Sequence, residues 1–263
     1  MHNDGLRDGA GSDPAPFSTL RPRHASSVLL VCDHASNRIP ARFSGLGLPR
    51  SQVGRHIGWD IGAAEVTLVL SRLLRATAVM SGASRLVIDC NRELDDPTSI
   101  PERSDGVTIP GNLGVSVSER KRRAAEWFQP YHDAIAAQLL RLERTHPVVT
   151  LVSIHSFTPV MDGFARPWPI GVLWNRDPRL APAIIAALGR QGHAVGDNEP
   201  YSGREGGYTV DVHAEAHGRP HVTFEIRQDL IAEPIGAWRW GRRLAAVLRT
   251  RLRQTDRWRR RSH

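Results

Sequence analysis

Apolar runs end in reactive residues at four places: Asp33-His34, Asp89-Cys90-Asn91-Arg92, His155-Ser156 and Glu225-Ile226-Arg227. Any one of these is ordinary surface chemistry where a strand leaves a sheet. Together, on one sheet edge, they would gather imidazoles, carboxylates and guanidiniums around a single cleft. Those residue types select a chemistry. Two neutral imidazoles and one carboxylate make a catalytic zinc site with an open position for water. A further, non-ligating carboxylate can take the proton of that water, and an arginine can grip a substrate carboxylate in a bidentate fork. The chain has no H-E-x-x-H, which excludes a thermolysin-like metalloprotease. It has no G-x-S-x-G, which argues against a serine α/β-hydrolase. A P-loop and a dinucleotide fingerprint are missing as well.

The elements that must position these residues are legible in the hydrophobic pattern. Strands are expected at 27–32, 77–80, 85–90, 147–156, 169–174 and 220–229, helices at 60–76, 116–145, 178–192 and 234–254, and a short helix over 209–218. Asp60 opens its helix as an N-cap candidate, and Pro130 should kink or break the long helix. Loops are expected over 93–116 and 196–210. This alternation predicts an α/β fold: a single domain with a central, mostly parallel mixed sheet and helices on both faces. Ligands of such sheets bind at the carboxyl ends of the strands. The expected catalytic domain covers 25–255, flanked by a disordered tail over 1–24 and a basic tail over 256–263.

Composition bounds the rest. The 263 residues suit one large domain, and 40% hydrophobic residues can fill its core. The net charge of +8 lies largely in the arginine-rich stretch 240–261. No RNP or zinc-finger pattern accompanies it, so a solvated helix is the better reading than a nucleic-acid surface. The two cysteines, Cys32 and Cys90, both lie in apolar runs and read as reduced, buried residues. No signal-peptide pattern and no apolar run of membrane length are present, so a cytoplasmic protein without a membrane partner is expected.

The motifs CDHASNRIP (32–40), HIGWDIGA (56–63), SRLVIDCNR (84–92), SIHSFTP (153–159), GDNEPYSG (196–203) and FEIRQDL (224–230) resemble those of the N-formylglutamate amidohydrolase family. They span about 200 residues in one order, leaving out the N-terminal tail and the last helix. The family is similar in fold to zinc carboxypeptidases and aminoacylases, and implies a zinc carboxypeptidase-like (phosphorylase/hydrolase-like) architecture. The resemblance implies a divalent metal, one zinc ion, with His34 and His155 as ligands. It implies Asn91 and Arg92 as binders of a substrate carboxylate and Glu225 as general base. Carboxypeptidases place a glutamate ligand three residues after their first histidine, where this chain has Asn37. A neutral amide is a poor zinc ligand, so Asp60 is expected as the third, with Asn37 and Asp33 as alternatives.

Other residues carry weaker expectations. Arg85 either polarises the scissile carbonyl or merely flanks its strand. Arg227 is expected to pair with Glu225 and is grouped, with Tyr201 of the GDNEPYSG loop, among the substrate-binding residues. Asp89 is expected to orient Arg92 or a backbone turn, and His56 to bond Asp60. His213 and His217 could share a helix face, with His221 nearby, as a second metal site. The function implied is hydrolysis of a small N-acyl amino acid such as N-formylglutamate. A peptidase of short peptides and a non-enzymatic carboxylate-binding protein are the alternatives.

Overall fold

The computed structural model describes residues 13–258, with side chains to residue 252. Seven strands form one mixed sheet: β1 (Phe17–Leu20), β2 (Val28–Cys32), β3 (Thr77–Ser81), β4 (Thr150–Phe157), β5 (Ile170–Leu173), β6 (Val195–Asp197) and β7 (His221–Arg227), in the order β1-β3-β2-β4-β7-β5-β6. The central strands β3, β2, β4 and β7 are parallel. β1 runs antiparallel to β3 and β5 antiparallel to β7, while β6 pairs parallel with β5. The helices that frame the sheet and the cavity are α1 (Ala63–Leu74), α2 (Val117–Arg123), α3 (Gln129–Glu143), α4 (Ala181–Gly189), α5 (Tyr208–His213) and α6 (Pro234–Trp258).

Strand residues alternate between the two faces. Val28, Leu30, Val152, Ile154, Val222 and Phe224 share one core with residues of α1, α4 and α6. Leu29, Val31, Val79 and Leu151 share another with Tyr131, Ile135 and Leu139 of α3. Helix α3 covers β1, β3 and β2 on that second face. The β4–β7–β5 half is left to the short α5 and its loops. There the alternation presents Ser153, His155, His221, Thr223 and Glu225, and a cavity lies over them.

Several elements depart from the sequence reading. The run 85–90 is not a strand. Val87 N donates to Ser84 O and Asp89 N to Ser99 O, and Leu86, Val87 and Ile88 pack with Ile57, Ile100, Trp127 and Phe128 in a separate cluster. The apolar pattern alone reads as sheet core, but the burial of this run comes from the local cluster. Phe17–Leu20 lies within the expected tail, yet it forms an edge strand on β3; residues 1–12 lie outside the described residues. The boundary expected at 255 falls inside α6, and residues 259–263 lie outside the described residues. Pro130 does not break its helix. A π-helical turn, Ala124–Phe128, joins α2 to α3 just before it, which relieves the clash a proline makes with the preceding turn.

Candidate metal centre

His34 lies two residues beyond the end of β2, and His155 sits near the carboxyl end of the neighbouring β4. Asp60 reaches them from the loop before α1. It is not the N-cap of that helix. Gly62 takes that position in the left-handed region at φ 79°, where a Cβ would lie 2.2 Å from Ile231 O. The Asp60 backbone amide donates to His34 O at 3.0 Å, which ties the loop to β2. Its carboxylate is free to turn inward.

Both histidines turn Nδ1 toward one oxygen. Asp60 Oδ2 lies 3.2 Å from His34 Nδ1 and 2.8 Å from His155 Nδ1, and all three residues are buried. One donor atom from each lies within 4.8 Å of the others, so the three can hold a metal ion. The opposite ring nitrogens are backed by carboxylates. His34 Nε2 is 2.8 Å from Asp89 Oδ1; His155 Nε2 is hydrogen-bonded to Ser153 Oγ at 3.0 Å and lies 3.1 Å from Asp33 Oδ2. Carboxylates behind metal-binding imidazoles orient the rings and raise their basicity. These carboxylates are held in turn. Tyr131 and Thr209 hydroxyls donate to Asp33 Oδ1 at 2.7 and 2.8 Å. Arg85 donates twice to Asp89 Oδ2, at 3.0 and 2.7 Å, and once to Asp60 Oδ1 at 3.4 Å. Nitrogen and oxygen donors of this kind, two imidazoles and a carboxylate, fit a zinc-type ion.

The electrostatics follow from this packing. Burial pushes Asp33 up, but the bond from His155 and the charges of both histidines bring it down to about 2. The same opposition, again won by the histidines, holds Asp60 far below the usual carboxylate range. For Asp89, burial is overcome by Arg85 and His34. Burial lowers both imidazoles, yet the surrounding carboxylates raise His34 and raise His155 strongly. Glu225 differs. Burial outweighs the attraction of His155, Asp60 repels a second negative charge, and its carboxyl rises to about 7. Its Oε2 is buried without a hydrogen-bond partner. Glu225 lies beside His155 across the parallel β7–β4 pair.

A cavity of about 500 Å³ opens over the centre. His34, Asp60, His155, Glu225, Arg85, Asn91, Arg92 and Tyr201 all line it. Arg92 is exposed at the rim, and Asn91 Oδ1 accepts the Thr209 amide at 3.1 Å. The Tyr201 hydroxyl accepts from Arg166 Nη1 at 3.2 Å. Its loop is pinned by close backbone approaches. A Cβ on Gly171 would lie 2.0 Å from Glu199 O, and one on Gly203 would lie 2.8 Å from Trp174 backbone atoms. Asn198 Oδ1 accepts from both the Trp174 and Gly203 amides at 3.0 Å.

Other expectations are corrected. Arg227 does not pair with Glu225 and does not line the cavity; Asp229 and the Arg166 carbonyl hold it. Its strand ends there, and the nearby 3₁₀ turn supplies a closer carboxylate. His56 lies 3.4 Å from Asp105 rather than on Asp60. Asn37 does not line the cavity, and Asp33 stands behind His155 rather than beside the other two donors. Asp89 serves His34 and Arg85 rather than Arg92, and it accepts the Asn91 amide at 2.9 Å, the backbone turn that is its other expected role. His213 bonds His132, at 2.9 Å, instead of joining His217. Among the described residues, His34, Asp60 and His155 are the one metal-compatible group found. The sequence reading missed Tyr131 and Thr209 as holders of Asp33. Both sit on helices whose apolar pattern masks an inward hydroxyl. Arg103 at the cavity rim was also missed.

A family model described as N-formylglutamate amidohydrolase matches residues 26–232. A solved gene product of Agrobacterium tumefaciens is 34% identical, with a TM-score of 0.89, covering 92% of this chain and 96% of that one. The solved N-formylglutamate amidohydrolase of Ralstonia eutropha is 20% identical, with a TM-score of 0.69, covering 94% and 99%; at that identity the likeness is one of fold. No curated protein matches the chain. Among the described residues, no helix is long and apolar enough to cross a membrane.

Proposed function

Because the chain belongs to the N-formylglutamate amidohydrolase family, a family of hydrolases acting on amide bonds, we propose that it is a metal-dependent enzyme. It hydrolyses the amide of a small N-acyl amino acid, with N-formylglutamate as the reference substrate. The observation that carries metal dependence is the shared orientation of His34 and His155. Both present Nδ1 to Asp60 and rest Nε2 against a buried carboxylate. A purely structural cluster has no need of that outer pair of carboxylates.

In this reading His34, Asp60 and His155 hold one zinc ion. A bound divalent ion supplies Lewis acidity, lowering the pKa of water and polarising a carbonyl. Glu225 is the general base. Its carboxyl, held near neutrality at about 7, accepts a proton from the attacking water and delivers it to the departing nitrogen. Hydroxyl adds to the acyl carbon, the C–N bond breaks with its electron pair going to nitrogen, and formate and the free amino acid result. Asn91 and Arg92 hold the substrate carboxylate at the rim, and Tyr201 contacts the substrate from its loop. Arg85 presents its guanidinium to the cavity from Asp89 and is suited to polarise the acyl oxygen as charge develops.

The test is metal analysis of the purified protein, with formate release from N-formylglutamate measured before and after chelation. About one zinc per chain, and activity that vanishes with the metal and returns on adding it, are expected. Unchanged turnover in fully metal-free protein would overturn the reading. A non-catalytic carboxylate binder would bind N-formylglutamate without releasing formate.

A further inference from the structure

The cavity is longer than a formyl amino acid needs. It does not stop at Glu225. It continues down the sheet face beneath α5, along β7, where Glu225, Thr223 and His221 alternate onto one side. Four residues of strand at about 3.3 Å each make this arm about 13 Å long. Thr223 lies mid-strand in the sheet, beside Ser153 of β4 and Leu173 of β5. A residue in that position is ordinarily sealed by the helix above it, yet Thr223 is only half-buried. The arm is therefore open space on the sheet, roofed by Val210 and Asp211 of α5.

The two ends of the cavity differ in charge. The rim carries Arg92 and Arg103, with Asp105, paired to Arg55, and Glu205 also on the lining. The far end carries Asp211 and the imidazole of His221. The Asp211 carboxyl accepts one hydrogen bond, to Oδ2 from the Gly207 amide at 3.2 Å. Burial and the neighbouring Glu215 push its pKa up, so it is a carboxyl short of donors. His221 is 1% exposed. Its Nδ1 is engaged with Arg219 O, while Nε2 has no hydrogen bond and only Glu215 Oε1 nearby, at 3.3 Å. That oxygen already accepts the Arg176 amide. The end of the arm thus offers a carboxyl with one donor, the Gly207 amide, beside a buried imidazole whose Nε2 faces only Glu215 Oε1.

We infer that this arm is an acyl subsite, and that the chain takes N-acyl amino acids whose acyl group is an extended chain ending in a hydrogen-bond donor such as a carboxamide. The inference rests on the amidohydrolase reading above. The amino acid's carboxylate stays with the rim arginines, the scissile amide lies at Glu225, and the acyl chain follows β7 to Asp211. A terminal carboxamide donates to Asp211. A terminal carboxylate meets the same residue as a like charge and is rejected.

The experiment compares kcat/KM of the zinc-loaded protein for N-formylglutamate with that for N-acylglutamates carrying succinamoyl, glutaramoyl and adipamoyl groups. The ω-carboxylate counterparts are run beside them. A well-fitted carboxamide should exceed formyl by about tenfold or more, the scale of a filled subsite, and should exceed its ω-carboxylate counterpart by a similar factor. Asp211→Asn should erase the preference for carboxamide over carboxylate. Thr223→Leu, which fills the arm, should lower the carboxamide-to-formyl ratio. Formyl remaining the best substrate, with both ratios unmoved by either substitution, would overturn the subsite. Calorimetric binding of the free acid glutaramate, expected in wild type and weakened by either substitution, reads the arm without turnover. If no acyl compound is hydrolysed while this binding pattern holds, the hydrolase reading fails and the subsite stands. If turnover occurs and glutaramate does not bind, the subsite fails alone.

Discussion

Two pairs of buried histidines lie on the same side of the sheet and behave in opposite ways. His34 and His155 have ring centroids 5.1 Å apart at 66°, and His132 and His213 are 5.2 Å apart at 13°. Burial lowers the pKa of all four. Around the first pair stand Asp33, Asp60 and Asp89, and they raise both rings. Around the second pair the polar partners are the Cys90 carbonyl and the rings themselves, and both rings fall, His213 to about 4. The second pair is neutral. His132 Nε2 donates to Cys90 O, so its Nδ1 accepts from His213 Nε2. Similar burial has produced a metal-compatible cluster in one place and an uncharged strut between α3 and α5 in the other. The carboxylates make the difference.

The comparison is broken most severely at Asp60. Asp60→Asn leaves the rings without their shared anion. Zinc should be lost on dialysis and formate release should fall by more than about 10³-fold; retention of stoichiometric zinc would deny Asp60 the place of third ligand. Glu225→Gln removes a charge beside the first pair while sparing its ligands. Turnover should drop about 10³-fold with zinc content unchanged, and full turnover would exclude Glu225 as the base. Asp33→Asn and Asp89→Asn change the backing of each ring, and Asp89→Asn also loosens Arg85. Zinc affinity, measured by chelator competition, should fall about 10- to 100-fold in each. A change no larger than that of a surface aspartate would deny these residues their role.

The smallest effect belongs to the neutral pair. Its folded-state pKa values lie below that of an unfolded histidine, so the unfolded chain binds more protons in that range. The stability it contributes is fully present above about pH 6.5 and is lost as pH falls toward about 4. The loss should be on the order of 2 kcal/mol, read as a falling melting temperature in metal-free protein. His213→Gln should flatten that part of the profile. An unaltered acid limb would show that the pair titrates normally.

This contrast also separates what the sequence discloses from what it hides. His34, His155 and Glu225 could be read because each closes an apolar run, and a strand's period of two fixes which face a residue joins. Asp60 could be named, but its helix-opening position suggested an N-cap equally well; the glycine two residues later frees it. The partners of the four histidines could not be read. His132 and His213 are 81 residues apart in sequence, and Tyr131 reaches Asp33 from a helix whose spacing advertises only core. The segment 85–90 misled for a related reason, since buried apolar residues look alike whether a sheet or a loop cluster buries them. Phe17–Leu20 was hidden by its shortness and by Pro14 and Pro16 before it.

The pinned loop that carries Tyr201 has a consequence for affinity. With Glu199 O seated against Gly171 and Asn198 clasping two backbone amides, the wall beside Glu225 stands before any ligand arrives. A ligand then meets a population already competent to receive it. Its apparent dissociation constant carries little surcharge for ordering the protein, and even a small substrate with few atoms to bind by can be held.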